Sequence, residues 1–220
     1  EYLVPLLGVW NSPRDIEFEK LPSKFVLKCN HNSGLGMYIC KNKDEIDVEQ
    51  VVLGLEKGLK QDYYLTGREW PYKNVKRKVI AEKFLVDESG NDLKDYKLYC
   101  FDGKVKLIMI NSDRNSQCKT KADYFDENFN HISMTWGYEQ SIKPPRKPAH
   151  FEKMKTLAEK LSEGMPHVRV DFYVADDRVY FGEMTFFDGS GFDAFGEKKY
   201  ANMLGEWIKL PKPIMEKTNS

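Results

Sequence analysis

The sequence predicts an α+β protein whose strands form two sheets, one before about residue 86 and one after it. Short apolar runs joined by turn residues predict strand hairpins in both halves of the chain. Between the hairpins lie segments with helical spacing, as in the apolar residues at positions 48, 51, 52, 55 and 59. The chain has 220 residues, enough for one large domain or two small ones, and no internal repeat is found.

The first half of the chain begins with an irregular, proline-containing segment over residues 1–24. A short strand is predicted over Phe25–Cys29, followed by the loop HNSGLG and a return strand in MYICKN. The segment DEIDVEQVVLGLEKGLKQ predicts a helix with Asp44 or Asp47 as its N-cap. The run KVIAEKFLV then predicts a buried strand of about nine residues.

The second half begins with two strands, YKLYCF and KVKLIMIN, joined by the strong hairpin signal Asp102-Gly103. Residues 111–150 are polar and predict a long loop or flap. HFEKMKTLAEKLSEG predicts an amphipathic helix ending at Gly164, and VRVDFYV and RVYFGEMTF predict a hairpin around residues 175–177. A last helix is predicted in DAFGEKKYANMLGEWIKLP, stopped by Pro211.

Composition excludes several classes of protein. Lys+Arg and Asp+Glu are both 34, so the net charge is zero, which argues against a general nucleic-acid or anionic-membrane binder. The four cysteines form no C-x-x-C pair and indicate free thiols in a reducing cytoplasm, and the four scattered histidines argue against zinc. YLVPLLGVW is too short to span a bilayer and is not a signal peptide, and we expect an N-terminally truncated chain.

Asp171 and Glu183 are the most informative pair, because they lie on the two arms of the second predicted hairpin. A three-residue loop would place them across from each other on one face, whereas a two-residue loop would place them on opposite faces. Two close carboxylates need neutralising, and Mg²⁺ held by carboxylates and substrate phosphates would achieve this. The alternative is that Asp171 and Glu183 form ion pairs with Arg169 and a nearby lysine. The two carboxylates by themselves do not decide between these readings.

Three lysines lie on separate predicted strands, and each alone is typical of a solvated strand face. Lys28 precedes the glycine loop, Lys83 lies in VIAEKFL and Lys97 in DYKLYCF. If all three face the carboxylate pair, they form a cradle for a polyanion, which Arg114 in NSDRN could close.

Two glycine-containing loops could bind an anion. HNSGLG is not a P-loop, because its lysine precedes the glycines, but its backbone N–H groups could form an anion-binding nest. The alternative for this loop is a plain turn. TFFDGSGFDAF places Gly189, Ser190 and Gly191 where the last helix is expected to open, which also favours an anion. The alternative there is a helix entry capped by Asp188 or Ser190.

The order of these elements resembles the ATP-grasp ligases. The stretches LPSKFVLKCNHNSG, DYKLYCFDGK and RVDFYV…VYFGEMTF are similar to the TupA-like ATP-grasp proteins of teichuronopeptide and polysaccharide biosynthesis, over about residues 1–210. The resemblance implies two α+β subdomains that sandwich ATP, with the N-terminal region that precedes them truncated or reduced. It implies a residual segment at 1–24, a small subdomain with the glycine loop at 25–86, a large catalytic subdomain at 87–210 and a tail at 211–220.

The resemblance also implies roles for residues in nucleotide binding. The strand lysine and its glycine loop contact ATP phosphates in such enzymes, which here implies Lys28, His31, Ser33 and Gly34. The strand leading out of the first subdomain holds adenine, which implies Glu82, Lys83 and Leu85. Asp95 is implied near the nucleotide, with Lys97 and Arg114 at its phosphates.

Metal and substrate residues follow in the same way. Asp171 and Glu183 match the magnesium-binding acids, and Thr185 stands where the family commonly has an Asn ligand. Arg169 is expected at the substrate carboxylate or acyl phosphate because of its place two residues before Asp171, and the substrate is also expected to meet Asp188, Ser190 and Gly191. The catalytic residues are thus expected to be Lys97, Arg114 and Arg169.

The resemblance implies an ATP- and Mg²⁺-dependent carboxylate–amine ligase of the cytoplasm. It would act in cell-surface polysaccharide biosynthesis on small-molecule or glycan substrates. We expect no nucleic-acid partner and no membrane span. One alternative is a nucleotide-sugar glycosyltransferase, although the chain contains no D-x-D motif. The other is an inactive nucleotide- or carbohydrate-binding module, which Thr185 and the missing N-terminal region keep open.

Overall fold

The computed structural model describes residues 1–87, 93–112 and 120–210. The chain divides into two compact units that alternate along the sequence. The first unit consists of Glu1–Leu93, Ala175–Gly182 and Phe186–Phe192. The second consists of Lys94–Val174, Glu183–Thr185 and Asp193–Ser220.

The first unit contains a four-stranded antiparallel sheet and one long helix. Its strands are β1 (Leu6–Trp10), β2 (Phe25–Cys29), β3 (Met37–Cys40) and β4 (Val79–Lys83), in the order β1-β4-β2-β3. Its helices are α1 (Val48–Lys60) and the short α2 (Tyr63–Gly67). The strand in residues 6–10 corrects the expected irregular start, and β4 is shorter than the predicted nine-residue run because pairing ends at Lys83.

Alternation along β2 determines which side chains enter the core of the first unit. Phe25, Leu27 and Cys29 are buried, so Lys28 points to the opposite face of the sheet. The helix α1 covers the core face with an apolar stripe that includes Leu55, which is 1% exposed. Of the two candidate caps, the structure selects Asp47, whose Oδ1 accepts a hydrogen bond of 3.0 Å from the Gln50 N–H.

A six-stranded antiparallel sheet, the second of the two that the sequence predicts, forms most of the second unit, whereas residues 175–182 of its last hairpin belong to the first unit. The strands of this sheet are β5 (Asp95–Phe101), β6 (Lys104–Ser112), β7 (Lys121–Asp126), β8 (His131–Ile132), β9 (His167–Ala175) and β10 (Arg178–Thr185), in the order β10-β9-β5-β6-β7-β8. The helices of the second unit are α3 (Phe151–Leu161) and α4 (Lys198–Trp207). The centrally placed β5 pairs with β6 on one side and β9 on the other.

The two hairpins predicted in the second half of the chain are each closed by a two-residue turn. Asp102 and Gly103 have φ values of 51° and 72°, and Asp176 and Asp177 have 52° and 54°. Positive φ at both central residues is the requirement of a type I′ turn, whose twist matches that of paired strands. The β9–β10 loop is therefore two residues long, the case for which simple alternation predicts carboxylates on opposite faces.

The expected flap over residues 111–150 is wrong in part, because β7 and β8 lie within it. Four consecutive residues of β7, from Ala122 to Phe125, are buried, so the strand shows no polar–apolar alternation. Its buried acid, Asp123, accepts hydrogen bonds from the Ser141 hydroxyl at 2.6 Å and the Ser141 N–H at 3.3 Å. The sequence pattern of a half-buried strand was therefore absent.

The two helices of the second unit are shorter than their predicted segments. Helix α3 ends at Leu161, and Gly164, with a φ of 76°, follows it. Helix α4 begins at Lys198. The prediction that the glycine loop at 189–191 opens this helix is therefore wrong. Within the described ranges, no helix combines the length and the apolar character needed to cross a bilayer.

Candidate functional site

The second unit carries a line of charged side chains on one face of its sheet. Lys97 of β5 lies directly opposite Asp171 of β9 in the antiparallel register. Its Nζ lies 2.5 Å from Asp171 Oδ2 and 2.7 Å from Asp95 Oδ2, and Asp95 is two residues away on the same strand. Residues two apart on a strand share a face, so the three side chains meet by register alone.

Arg169 extends this line towards β10. It lies two residues before Asp171 on β9 and binds that carboxylate with two hydrogen bonds of 2.8 Å, from Nε to Oδ1 and from Nη2 to Oδ2. The same Nη2 also donates to Glu183 Oε1 at 2.9 Å. Such bidentate pairs fix geometry as well as charge. The Thr185 hydroxyl completes the line by donating to Glu183 Oε1 at 3.0 Å.

Asp171 and Glu183 both accept a hydrogen bond from Arg169 Nη2, at 2.8 Å and 2.9 Å, in a hairpin whose turn has two residues. The pairing with Arg169 and a nearby lysine, which the sequence left open as an alternative, is present. Because the same carboxylates can serve a metal ion when phosphates supply further charge, this pairing does not exclude the magnesium reading.

The line alternates in sign from Asp95 through Lys97, Asp171 and Arg169 to Glu183, with three anions and two cations. The side chain of Asp171 is 2% exposed, that of Arg169 8% and that of Glu183 55%, so the line runs from the interior to solvent. Burial alone would lower the pKa of Lys97, but Asp171 and then Asp95 outweigh it and raise the pKa above the ordinary lysine value. Lys97 is therefore a fixed positive charge at neutral pH.

The donor set suits magnesium only if a ligand completes it. Two carboxylates and a hydroxyl come together at Asp171, Glu183 and Thr185, and hard oxygen donors are those that Mg²⁺ prefers. Within residues 1–87, 93–112 and 120–210, no group of three or more acidic, histidine or cysteine side chains is placed to hold a metal ion. Substrate phosphates would have to supply the remaining ligands, which is how Mg²⁺ is usually held at phosphate sites.

In the first unit, Lys28 lies on the sheet face opposite the core. Its Nζ lies 2.6 Å from Glu82 Oε2 on the neighbouring strand β4. Lys83, the next residue of β4, instead bonds Asp176 Oδ2 at 3.0 Å. The three strand lysines thus form ion pairs with different carboxylates, Lys28 with Glu82, Lys83 with Asp176 and Lys97 with Asp95 and Asp171.

The glycine loop of residues 30–36 is anchored at both ends and exposed in its middle. His31 is 3% exposed, and its Nε2 lies 3.0 Å from the Gln61 carbonyl oxygen, just beyond α1. Burial lowers the pKa of His31 below its usual value. Ser33 and Gly34 are exposed, and Gly34 has a φ of 88°, so the loop presents backbone groups to solvent.

Gly36 lies where this loop leads into strand β3. Its φ is 74°, and a Cβ there would lie 2.6 Å from Cys29 Sγ and 2.9 Å from Gly58 Cα. A glycine is thus required by both backbone conformation and space. The close packing of Gly36 on α1 holds the loop against the helix.

Leu85 and the predicted substrate loop belong to the first unit. Leu85 is 8% exposed and follows β4. The predicted substrate loop forms a 3₁₀ turn over Asp188–Gly191 in the first unit, with Gly189, Ser190 and Gly191 all at positive φ. Arg114 lies outside the described residues.

Asn111 is a residue of the charged face that sequence reasoning missed. It lies on β6 directly opposite Asp95 and is 5% exposed. Its Oδ1 is buried, with no hydrogen bond in the part of the chain that is described. Counting back from the Asp102-Gly103 turn would pair Asp95 with Ile110, but the register shifts by one residue between Tyr99 and Cys100. No sequence signal marks this shift.

Comparison with solved structures finds several ligases that are similar to this chain. A D-alanine–D-alanine ligase from Bacillus anthracis complexed with ATP is similar with a TM-score of 0.50 and 17% identity, covering 84% of this chain and 49% of that one. A D-alanyl-alanine synthetase A from Vibrio cholerae O1 biovar eltor has a TM-score of 0.47, 14% identity, and coverage of 84% and 50%. The ATP-grasp ligase PsnB complexed with a minimal precursor, Mg and ADP has a TM-score of 0.46, 13% identity, and coverage of 94% and 54%.

The chain thus spans about half the length of these structural neighbours. No curated protein matches it. The family model described as TupA-like ATPgrasp matches residues 1–209, nearly the whole chain, and confirms the resemblance found in the sequence. The two antiparallel sheets with their helices are the ATP-grasp fold, and the chain belongs to the TupA-like ATP-grasp family.

Proposed function

We propose that this protein is an ATP- and Mg²⁺-dependent ligase that activates a carboxylate and joins it to an amine. The observation that carries the proposal is the line of charges from Asp95 to Glu183, in a chain whose family is ATP-grasp. Its cations are fixed by register and by bidentate contacts, so they are arranged before any ligand arrives. Preorganised charge of this kind is what phosphoryl transfer requires of a protein.

The second unit would hold the reacting phosphates. Lys97 and Arg169 would donate to phosphate oxygens, and each such hydrogen bond to a charged group contributes about 1.5–3 kcal/mol. Asp171 and Glu183 would hold Mg²⁺, with the Thr185 hydroxyl as a further oxygen ligand or as a partner of a bound water. The bound ion would neutralise phosphate charge and orient the γ-phosphate. Arg114 remains a predicted further phosphate contact.

The first unit would contribute separate contacts to the nucleotide. Lys28 is 38% exposed at its side chain, so it can exchange Glu82 for a phosphate oxygen without a buried charge being uncovered. The exposed backbone at Ser33 and Gly34 offers N–H donors, while buried His31 holds the loop. Glu82, Lys83 and Leu85 remain the predicted adenine contacts, and Asp95 remains a predicted neighbour of the nucleotide.

The reaction would proceed in two steps. A carboxylate oxygen of the substrate attacks the γ-phosphorus as the bond to ADP breaks, which gives an acyl phosphate. The amine nitrogen then attacks the acyl carbon, phosphate leaves, and the nitrogen loses a proton as the amide forms. Arg169 would neutralise the developing negative charge on the acyl phosphate, and the loop at Asp188, Ser190 and Gly191 would contact the substrate.

The proposed setting is the synthesis of a cell-surface polysaccharide, with a sugar-acid carboxylate and an amino acid as the joined groups. ATP supply and the free thiols of buried Cys29, Cys40 and Cys100 are consistent with the cytoplasm. The setting rests on the family resemblance, whereas the chemistry rests on the charged residues as well.

Calorimetry of Mg²⁺–ADP binding tests the nucleotide site. We expect binding that requires Mg²⁺ and is lost in Asp171→Asn. Asp177→Asn is the matched control, because it removes an exposed carboxylate from the turn of the same hairpin, at a φ of 54° that Asn tolerates. Equal loss in both variants, or undiminished binding in Asp171→Asn, would refute the assignment.

Turnover is tested separately by ADP release from ATP. We expect release that needs both a uronic acid and an amino acid, supplied as a panel, and that stops when either is omitted. Nucleotide binding without any such release across the panel would favour the binding module instead. Release of a sugar nucleotide's diphosphate, rather than ADP from ATP, would favour the glycosyltransferase.

A further inference from the structure

The carboxylates proposed to bind Mg²⁺ are already engaged by Arg169. Asp171 Oδ2 accepts from both Lys97 and Arg169, and Glu183 Oε1 accepts from both Arg169 and Thr185. A carboxylate oxygen has two lone pairs, so each of these two oxygens has its acceptor capacity filled. A divalent ion could bind them only by displacing a donor, or by binding the remaining oxygens beside the guanidinium.

The net charge of the line also disfavours the binding of a free divalent ion. The line holds three carboxylates and two cations, so it offers a single net negative charge to an incoming ion. A divalent ion would turn that charge positive. The four negative charges of a nucleotide triphosphate, or the three of a diphosphate, would reverse this by joining the site together with the ion.

The repulsion between Arg169 and such an ion is large enough to measure. The guanidinium lies 2.9 Å from Glu183 Oε1, and Mg²⁺ binds oxygen at about 2.1 Å, so the two positive centres would be roughly 5 Å apart. Even with the dielectric constant of water, a single and a double charge at that distance change the affinity by about tenfold. Burial of the guanidinium makes this a lower bound.

We propose that Arg169 prevents free divalent ions from binding to Asp171 and Glu183 and makes ion binding depend on the nucleotide. The ion then enters as its nucleotide complex, and Arg169 moves from Glu183 towards the phosphates. This gives Arg169 a role in ordering ligand binding, distinct from neutralising the acyl phosphate. The inference rests on the proposed function, since it uses the same metal site.

Electron paramagnetic resonance titration with Mn²⁺, in the absence and presence of ADP, tests the inference without turnover. The wild-type protein should bind free Mn²⁺ weakly and bind it more tightly with ADP. Arg169→Gln removes the charge but keeps an amide donor for Asp171, and should bind free Mn²⁺ about tenfold more tightly. Arg178→Gln, which alters an exposed arginine on β10, is the control and should behave like wild type.

The outcomes separate this inference from the proposed function. If Arg169→Gln binds free Mn²⁺ no better than wild type, the inference is overturned even where Mn²⁺–ADP binding is intact. If wild type does not bind Mn²⁺–ADP, the proposed function fails, while the comparison in free Mn²⁺ still decides whether Arg169 opposes the ion.

A measurement on the wild-type chain keeps the test valid if Arg169→Gln does not fold. The Arg169 Nε–H signal in nitrogen-15 NMR, assigned by its loss in Arg169→Lys, reports the bond to Asp171. It should shift when Mg²⁺ and ADP are added together and stay unchanged with Mg²⁺ alone at the same concentration. An equal shift with Mg²⁺ alone would overturn the inference.

Discussion

Replacing Lys97 by Met should destabilise the second unit far more than any exposed lysine replacement. The Lys97 side chain is 12% exposed, and its two partners, Asp95 and Asp171, are 3% and 2% exposed. Removing one partner of a buried ion pair leaves an uncompensated charge and typically costs about 3–5 kcal/mol. The matched control is Lys83→Met, because the Lys83–Asp176 pair has 45% and 61% exposed side chains and such pairs contribute about 0–1 kcal/mol.

The assay is urea denaturation followed by tryptophan fluorescence. Trp136 and Trp207 pack on the core of the second unit, so a Trp10→Phe, Trp70→Phe background confines the signal to that unit. For an m-value near 2 kcal/mol/M, Lys97→Met should lower the midpoint by about 2 M, and Lys83→Met by less than about 0.5 M.

The pH dependence of the stability difference identifies the charge of Lys97 as its cause. The raised pKa of Lys97 means that its contribution is complete below about pH 10 and is lost only as the pH rises through the folded-state value. The difference between wild type and Lys97→Met should therefore stay constant from pH 7 to about pH 10 and shrink only at higher pH. Equal midpoint losses in the two lysine variants, or a difference that already shrinks below about pH 10, would refute this reasoning.

Three further predictions concern backbone geometry and buried polar groups. Gly36→Ala should cost about 1–3 kcal/mol more than Gly34→Ala, because both have positive φ but only a Cβ at Gly36 would meet Cys29 and Gly58 within 3 Å; thermal melting of the two variants measures the difference, and similar melting would contradict it. Buried His31 has a lowered pKa, so its protonation is unfavourable in the folded state. Wild type should therefore lose stability relative to His31→Gln as the pH falls from 7 through about 6.5 to 5, and parallel stability–pH curves would count against this. Asn111→Leu should raise the free energy of unfolding by about 1 kcal/mol, because it removes a buried oxygen without a hydrogen bond; a lowered urea midpoint would show that Asn111 has a structural partner.

Local sequence signals were sufficient for much of this fold. The helix α1, the β2 strand and the Asp102-Gly103 turn follow from spacing and from turn residues that accept positive φ. The sequence left the cap of α1 between Asp44 and Asp47 and the β9–β10 loop between two and three residues. The strand β7 could not be found in this way, because burial on both faces removes the alternation that marks a strand. The strand in residues 6–10 depends on pairing with β4, more than 65 residues later in the chain.

The candidate site was predictable in its members but not in its connections. Asp171 and Glu183 were identified from the hairpin, but the sequence did not show that one guanidinium, that of Arg169, bonds both of them. Asn111 was missed because a one-residue register shift decides which β6 side chain lies opposite Asp95. Long-range side-chain geometry of this kind leaves no periodic pattern in the sequence.

The position of Lys97 on a central strand also bears on how the sheet assembles. If β5 paired with β9 one residue out of register, Lys97 would move to the face that carries Leu98, which is fully buried. Its ammonium group would then lose Asp171 and face apolar side chains, at a cost of several kcal/mol. The charged line thus penalises mispaired strands, and we expect variants that make this face apolar to form misassembled, aggregating chains during refolding even where their native state is no less stable.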